Sequence, residues 1–228
     1  MNRNKDNCFL CGAEGADSDD HNPPESLYYK DEPPKGPLFK VRAQEKCQNA
    51  YSGDEDYFVK GICTVCFKDN AAWRKYWNDV SIAIKSPGAK KIRALLSNSI
   101  VPVPIRTKAG IYLGMTNALQ LDAMKIDNII WKIMRAIYFK HCPGVAPKSF
   151  SREIHLYEWD QTAQESLIEF FRDQQVQLEF HTHGNHEEFQ YAFGRSPNYE
   201  LIMWALIFYN RLMFWCFAEE QKTSNVKG

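Results

Sequence analysis

Several common signatures are missing from this 228-residue chain. It has no G-x-G-x-x-G, no G-x-x-x-x-G-K-(S/T) and no G-x-S-x-G, which disfavours phosphate-loop nucleotide hydrolysis and serine-hydrolase chemistry. Net charge is also absent, because 28 Lys and Arg are balanced by 28 Asp and Glu. There is no internal repeat and no low-complexity segment. The polar opening MNRNKDNC has no apolar stretch of the signal-peptide kind. Only one run, residues 201–218 (LIMWALIFYNRLMFWCFA), is long and apolar enough to raise the question of a membrane span. Asn210 and Arg211 sit in its middle, where a charge is costly in lipid, so it reads as two buried strands joined by a turn. Disulfides are not expected either. The seven cysteines are odd in number and four of them form C-x-x-C pairs, which suits metal ligation in a reducing compartment. The expectation is a cytoplasmic protein with no membrane partner.

What is present is ample material for a core: 44% hydrophobic and 14% aromatic residues. Charge is unevenly spread. Residues 1–60 carry 8 Lys/Arg against 12 Asp/Glu, whereas residues 68–108 carry 9 against 2. The basic stretch suits either a phosphate backbone or the solvated faces of a helix pair.

Residues 1–66 are rich in Gly, Pro, Asp and Asn, with too few apolar side chains to fold by burial alone, as in a small metal-held module. Ser52-Gly-Asp54-Glu55 reads as a helix start leading through Tyr57, Phe58 and Ile62. Trp73, Tyr76, Trp77, Val80 and Ile84 predict a second helix, with Arg74 and Lys75 interleaved; its aromatics suit either core packing or base stacking. Ser86-Pro-Gly88 ends it, and a short helix follows through Ile92, Leu95 and Leu96. Residues 99–115 read as strand, turn and strand, with Pro102 and Pro104 confining the first to an edge. The strongest helix covers 119–141 and is ended by Cys142-Pro-Gly144. A strand at 152–159, a helix at 161–174, strands near 176–181 and 187–194, and a closing apolar hairpin complete an α+β pattern with a mostly antiparallel sheet. The division expected is a zinc-binding module over 1–66 and an α+β domain over 67–228.

Chemistry concentrates near the start. Cys8/Cys11 and Cys63/Cys66 have the knuckle spacing that lets two sulfurs face one tetrahedral zinc ion. The gap between the pairs is long for a zinc ribbon, and a competing set uses Cys8, Cys11 and Cys47 with an unnamed fourth ligand. Asp20-His21 is sharper. A metal-dependent nuclease needs a histidine to deprotonate water and a neighbouring carboxylate to hold the cation that takes up charge on the scissile phosphate. Asp19 replaces Asp20 in that role if the register shifts by one.

The runs CFLCGAEGADSDDHNPP and KCQNAYSGDEDYF resemble the HNH endonuclease superfamily, and within it a bacterial group with C-x-x-C, an acid-His-x-Pro-Pro block, C-x-x-(C/H)-N-N and an acidic helix. The segments Thr107–Gly114 and Phe189-Gln-Tyr191 resemble the same group. The resemblance implies a treble-clef (ββα-metal) module and hydrolysis of DNA phosphodiester bonds. It makes His21 the general base, with Asp20 and Asn49, or Gln48, holding magnesium or another divalent cation. Gln44 stands where the group has a cysteine, which breaks its four-ligand zinc set and leaves Cys63 or Cys66 to supply the missing sulfur. Gln48 stands where the group has its first asparagine. Both departures equally suit a degenerate site kept as a zinc-stabilised nucleic-acid or protein interaction module. Outside this block, His181-Thr-His183-Gly-Asn-His186 has metal-ligand composition but reads as a polar loop, and His141 and His155 read as structural.

Overall fold

The computed structural model describes residues 7–28, 37–66, 85, 90, 94, 98–107, 109–142, 150–158, 161–173, 179–183, 188–196 and 201–220. Apart from Lys85 and Ala94, the helices expected over 69–85 and 92–96 lie outside the described residues, as do most of the basic stretch at 68–108 and His186.

Two strands, β1 (Ser18–His21) and β2 (Lys40–Ala43), pair antiparallel, with Asp20 opposite Val41 and His21 opposite Lys40. A short helix α1 (Glu45–Asn49) follows β2 directly, then α2 (Ser52–Cys66). A second hairpin, β3 (Ile100–Arg106) and β4 (Tyr112–Leu119), forms a two-stranded sheet of its own. Each of its strands therefore has one unpaired edge among the described residues, which is where Pro102 and Pro104 are tolerated. Helix α3 (Ala123–His141) begins later than the pattern at 119 suggests. Asp122 caps it by accepting from the backbone N–H of Met124 at 3.1 Å, so the helix starts at the cap rather than at the first apolar residue.

The remaining elements are β5 (Phe150–Glu158), α4 (Gln161–Asp173), β6 (Glu179–His183), β7 (Phe189–Arg195), β8 (Leu201–Phe208) and β9 (Leu212–Glu220). The five strands form one antiparallel sheet in the order β5-β9-β8-β7-β6. The molecule is thus α+β with antiparallel sheets and a cysteine cluster near the N-terminus.

The apolar hairpin, last of the strands in chain order, lies at the centre of this sheet. Alternate residues of β8 face opposite ways. Ile202, Trp204, Leu206 and Phe208 pack into a core shared with α2, α3 and the β1–β2 module. Met203, Ala205 and Ile207 pack with Leu167 and Phe171 of α4 on the other face. A strand covered on both faces needs apolar residues at every position, which makes its sequence resemble a membrane segment. No helix among the described residues is long and apolar enough to cross a membrane. The expected turn is present: Tyr209 and Asn210 take φ values of 54° and 52°, and the Arg211 N–H donates to the Phe208 carbonyl at 3.0 Å. That is the primed turn that suits the twist of a hairpin.

One core joins the first 66 residues to the rest. Phe9, Val41, Phe58 and Ile62 belong to the same buried cluster as Ile129, Ile133, Trp204 and Phe214. Burying each such side chain contributes about 1.5–3 kcal/mol, so the module leans on the sheet domain for much of its stability.

Candidate metal site and the residues around Asp20

The chain reverses at Cys8–Gly12. The Cys8 N–H donates to the Ala13 carbonyl at 2.9 Å, and the Gly12 N–H donates to that of Cys8 at 2.7 Å. Gly12 takes φ 80°, a left-handed conformation available to glycine without steric cost. This tight turn presents Cys8 and Cys11 on one side. Cys47 approaches them from α1, so the three sulfurs lie within 4.8 Å of one another. They are close enough to hold a metal ion. Cys63 and Cys66 do not join them. Both are buried along the last turns of α2, inside the apolar core, and burial pushes the Cys66 thiol up to about 12. The pairing of Cys8/Cys11 with Cys63/Cys66 is therefore corrected to Cys8, Cys11 and Cys47, because α2 carries the second pair away into the sheet interface.

Gln44 also approaches the three sulfurs. The side-chain amide Nε2 of Gln44 donates to the Glu14 carbonyl at 3.1 Å, which aims its Oε1 at the sulfurs, 3.7 Å from Cys11 Sγ and 3.9 Å from Cys47 Sγ. A sulfur about 2.3 Å and an oxygen about 2.1 Å from one tetrahedral ion stand about 3.6 Å apart. The Gln44 backbone N–H also donates to Cys8 Sγ at 3.2 Å. Burial and its two neighbouring sulfurs push the Cys47 thiol up to about 11. A hydrogen bond from the backbone of Ala13 holds Cys11 below the usual thiol value.

Asp20 and His21 are neighbours on β1 and point to opposite faces. Asp20 is 2% exposed and faces α3. There the Lys132 ammonium, itself fully buried, sits 2.9 Å from its Oδ1 and 2.7 Å from its Oδ2. Lys132 also pairs with Glu55 of α2 and lies 5.5 Å from the centre of the Tyr51 ring. Gln48 donates its amide to Asp20 Oδ1 at 3.1 Å. Asp19 is exposed and paired with Arg42 at 3.1 Å, so the inward acid of this strand is Asp20.

Asn49 does not reach the site. It is exposed at the end of α1, and its backbone carbonyl accepts from the Ser52 hydroxyl at 3.0 Å. His21 turns away from Asp20 toward Glu25, 3.6 Å from its carboxylate. It opens onto a cleft of about 570 Å³ lined by Pro37, Leu38, Phe39, Lys40 and Lys140. Of the four candidate catalytic residues, Asp20 and Gln48 converge, while His21 and Asn49 diverge from them.

The partner that sequence reasoning missed is Lys132. Its signal is a charge inside the apolar stripe of α3, three residues before Arg135 and so on the same helix face. Arg135 is also buried, and its guanidinium donates to the carbonyls of Phe9 and Leu10 in the cysteine turn. Burial lowers its pKa below the usual arginine value. The two cations fasten α3 to the β1–β2 module, one at each end of the site. No family model matches the chain, and no curated protein or solved structure matches it either.

Proposed function

We propose that this protein is a zinc-stabilised binding module of HNH-like, treble-clef descent whose cleavage centre is filled by Lys132, and that its partner is nucleic acid. The order of cysteine turn, β-hairpin and cysteine-bearing helix supports the treble-clef reading. Three thiolates with a neutral oxygen suit zinc, with Gln44 Oε1 as the fourth donor.

The observation that carries the reading is the ammonium 2.7 Å from Asp20. A hydrolytic cation would need that carboxylate and an oxygen-rich surround. Here the carboxylate is neutralised by a lysine without solvent access, and Asn49, the other expected ligand, is exposed. These residues do not fit magnesium, and no cleavage step is assigned to them. On the open side of β1, Lys40, Lys140 and His21, with Glu25 beside His21, border an apolar-floored cleft, and its two lysines suit a sugar-phosphate backbone. A nuclease reading retains one observation in its favour, the convergence of Gln48 and Asp20, and requires Lys132 to leave.

The test combines two assays on zinc-replete protein. In the first, labelled DNA and RNA oligonucleotides are titrated by fluorescence anisotropy at several salt concentrations. Binding should weaken with salt, and Lys40→Ala should weaken it for all sequences and lower the salt slope by about one. In the second, supercoiled DNA is incubated with Mg²⁺ or Mn²⁺ and wild type or His21→Ala. Cation-dependent cutting that disappears in folded His21→Ala would replace this proposal with the nuclease. Failure to bind any oligonucleotide at low salt would remove nucleic acid as the partner.

A further inference from the structure

A second cluster of metal-ligating side chains lies at the opposite end of α3, away from the cysteines. Helix α3 ends on His141. Glu179 and His181 alternate on β6, an edge strand of the five-stranded sheet, and therefore share a face. The loop expected around His181 is corrected here: His181 is part of β6, opposite Tyr191 of β7, and His141 has a partner in it. Nδ1 of His141 lies 3.7 Å from Oε2 of Glu179, and Nε2 of His181 lies 3.4 Å from the same oxygen. The three donor atoms lie within 4.8 Å of one another.

These separations are too long for charge-assisted hydrogen bonds, which run about 2.7–2.9 Å. They fit donors sharing an ion, because two atoms about 2.0–2.2 Å from tetrahedral zinc stand about 3.3–3.6 Å apart. Both rings are held in place. His141 stacks on Phe193 with centroids 5.0 Å apart, and His181 stacks on Tyr191 at 4.9 Å. The Tyr191 hydroxyl lies 3.0 Å from His141 Nε2. With a proton on Nε2 donated to that hydroxyl, the Nδ1 lone pair is directed to the cluster, the support that metal-bound histidines usually receive. Lys140 and Arg195 add positive potential at His141, which moderates affinity for any cation.

We propose that His141, Glu179 and His181 form a second metal site, which binds a zinc-like divalent cation through two imidazole nitrogens and one carboxylate oxygen. Its fourth position takes water or an oxygen or nitrogen donor from a ligand. The site is independent of the cysteine cluster and of the nucleic-acid reading.

The experiment is metal stoichiometry on the full chain, after dialysis against micromolar zinc or cobalt. The proteins compared are wild type, His181→Ala, Glu179→Gln and Tyr191→Phe. Wild type should hold two ions per chain. His181→Ala and Glu179→Gln should each hold one, with thiolate-to-cobalt charge-transfer absorption unchanged, so that the ion lost is the one without sulfur. Glu179 is exposed, which keeps Glu179→Gln folded if the histidine variant is not. Tyr191→Phe should weaken the second ion about 10–100-fold and leave the first untouched. A thiolate-bound ion alone in wild type, a non-thiolate ion that persists in both ligand variants, or binding only at millimolar metal would overturn the site.

Discussion

The β1–β2 module and the five-stranded sheet are held together by different physics. In the sheet, β8 and β9 bury apolar side chains on both faces, and Trp204 is surrounded by other hydrophobic groups. Its stability is spread over many contacts that tolerate some repacking. The module has few such residues. It depends instead on three sulfurs around one point, a lysine between two carboxylates, and an arginine on two carbonyls. These are directional interactions, and removing one partner leaves the others buried and unsatisfied. The sheet should therefore yield gradually to substitution, whereas the module should fail at single residues.

The largest effect should come from Lys132→Ala. It strands Asp20 and Glu55, and urea denaturation should read a loss of about 3–5 kcal/mol. Replacing the whole group at once, with Lys132→Met, Asp20→Asn and Glu55→Gln, should recover most of that loss; if it does not, the ion pair contributes more than mutual neutralisation. Next comes metal removal. With free metal at about a hundred times its Kd, chelation should cost about 2.7 kcal/mol, or roughly 5–10 °C in Tm. Cys47→Ser should mimic the chelator, whereas a sheet variant such as Trp204→Ala should keep its metal while losing stability; a Tm insensitive to chelation would erase the contrast. Gln48→Ala should cost about 1–3 kcal/mol, because Asp20 loses a donor in a buried site. Asn49→Ala should change stability by less than about 0.5 kcal/mol and leave metal content intact, as an exposed side chain outside the site would. A larger effect would bring Asn49 back into it.

The same contrast explains what was legible beforehand. Helix α2, the β3–β4 hairpin, α4 and the turn at Asn210 follow from local pattern, as does the apolar stripe of α3. Each is set by side-chain alternation or helical spacing within a short window. Cys8 and Cys11 announce a metal turn for the same reason, since the turn that joins them is local. Their partner was not legible from spacing, because Cys47, Cys63 and Cys66 were all chemically suitable thiols. The direction of α2 decided among them by taking Cys63 and Cys66 into the core.

The sequence by itself therefore determined many of the described elements from Ser52 onward, the α+β class with antiparallel sheets, and a short list of residues able to do chemistry. Only the tertiary structure decided their partners. Asp20 looks like a cation ligand until Lys132, 112 residues away, is placed against it. His141 looks structural until β6 brings Glu179 and His181 to its ring. Periodicity constrains neighbours along the chain, whereas these meetings depend on how α3 crosses the module and the sheet, a long-range packing outcome that no local pattern encodes.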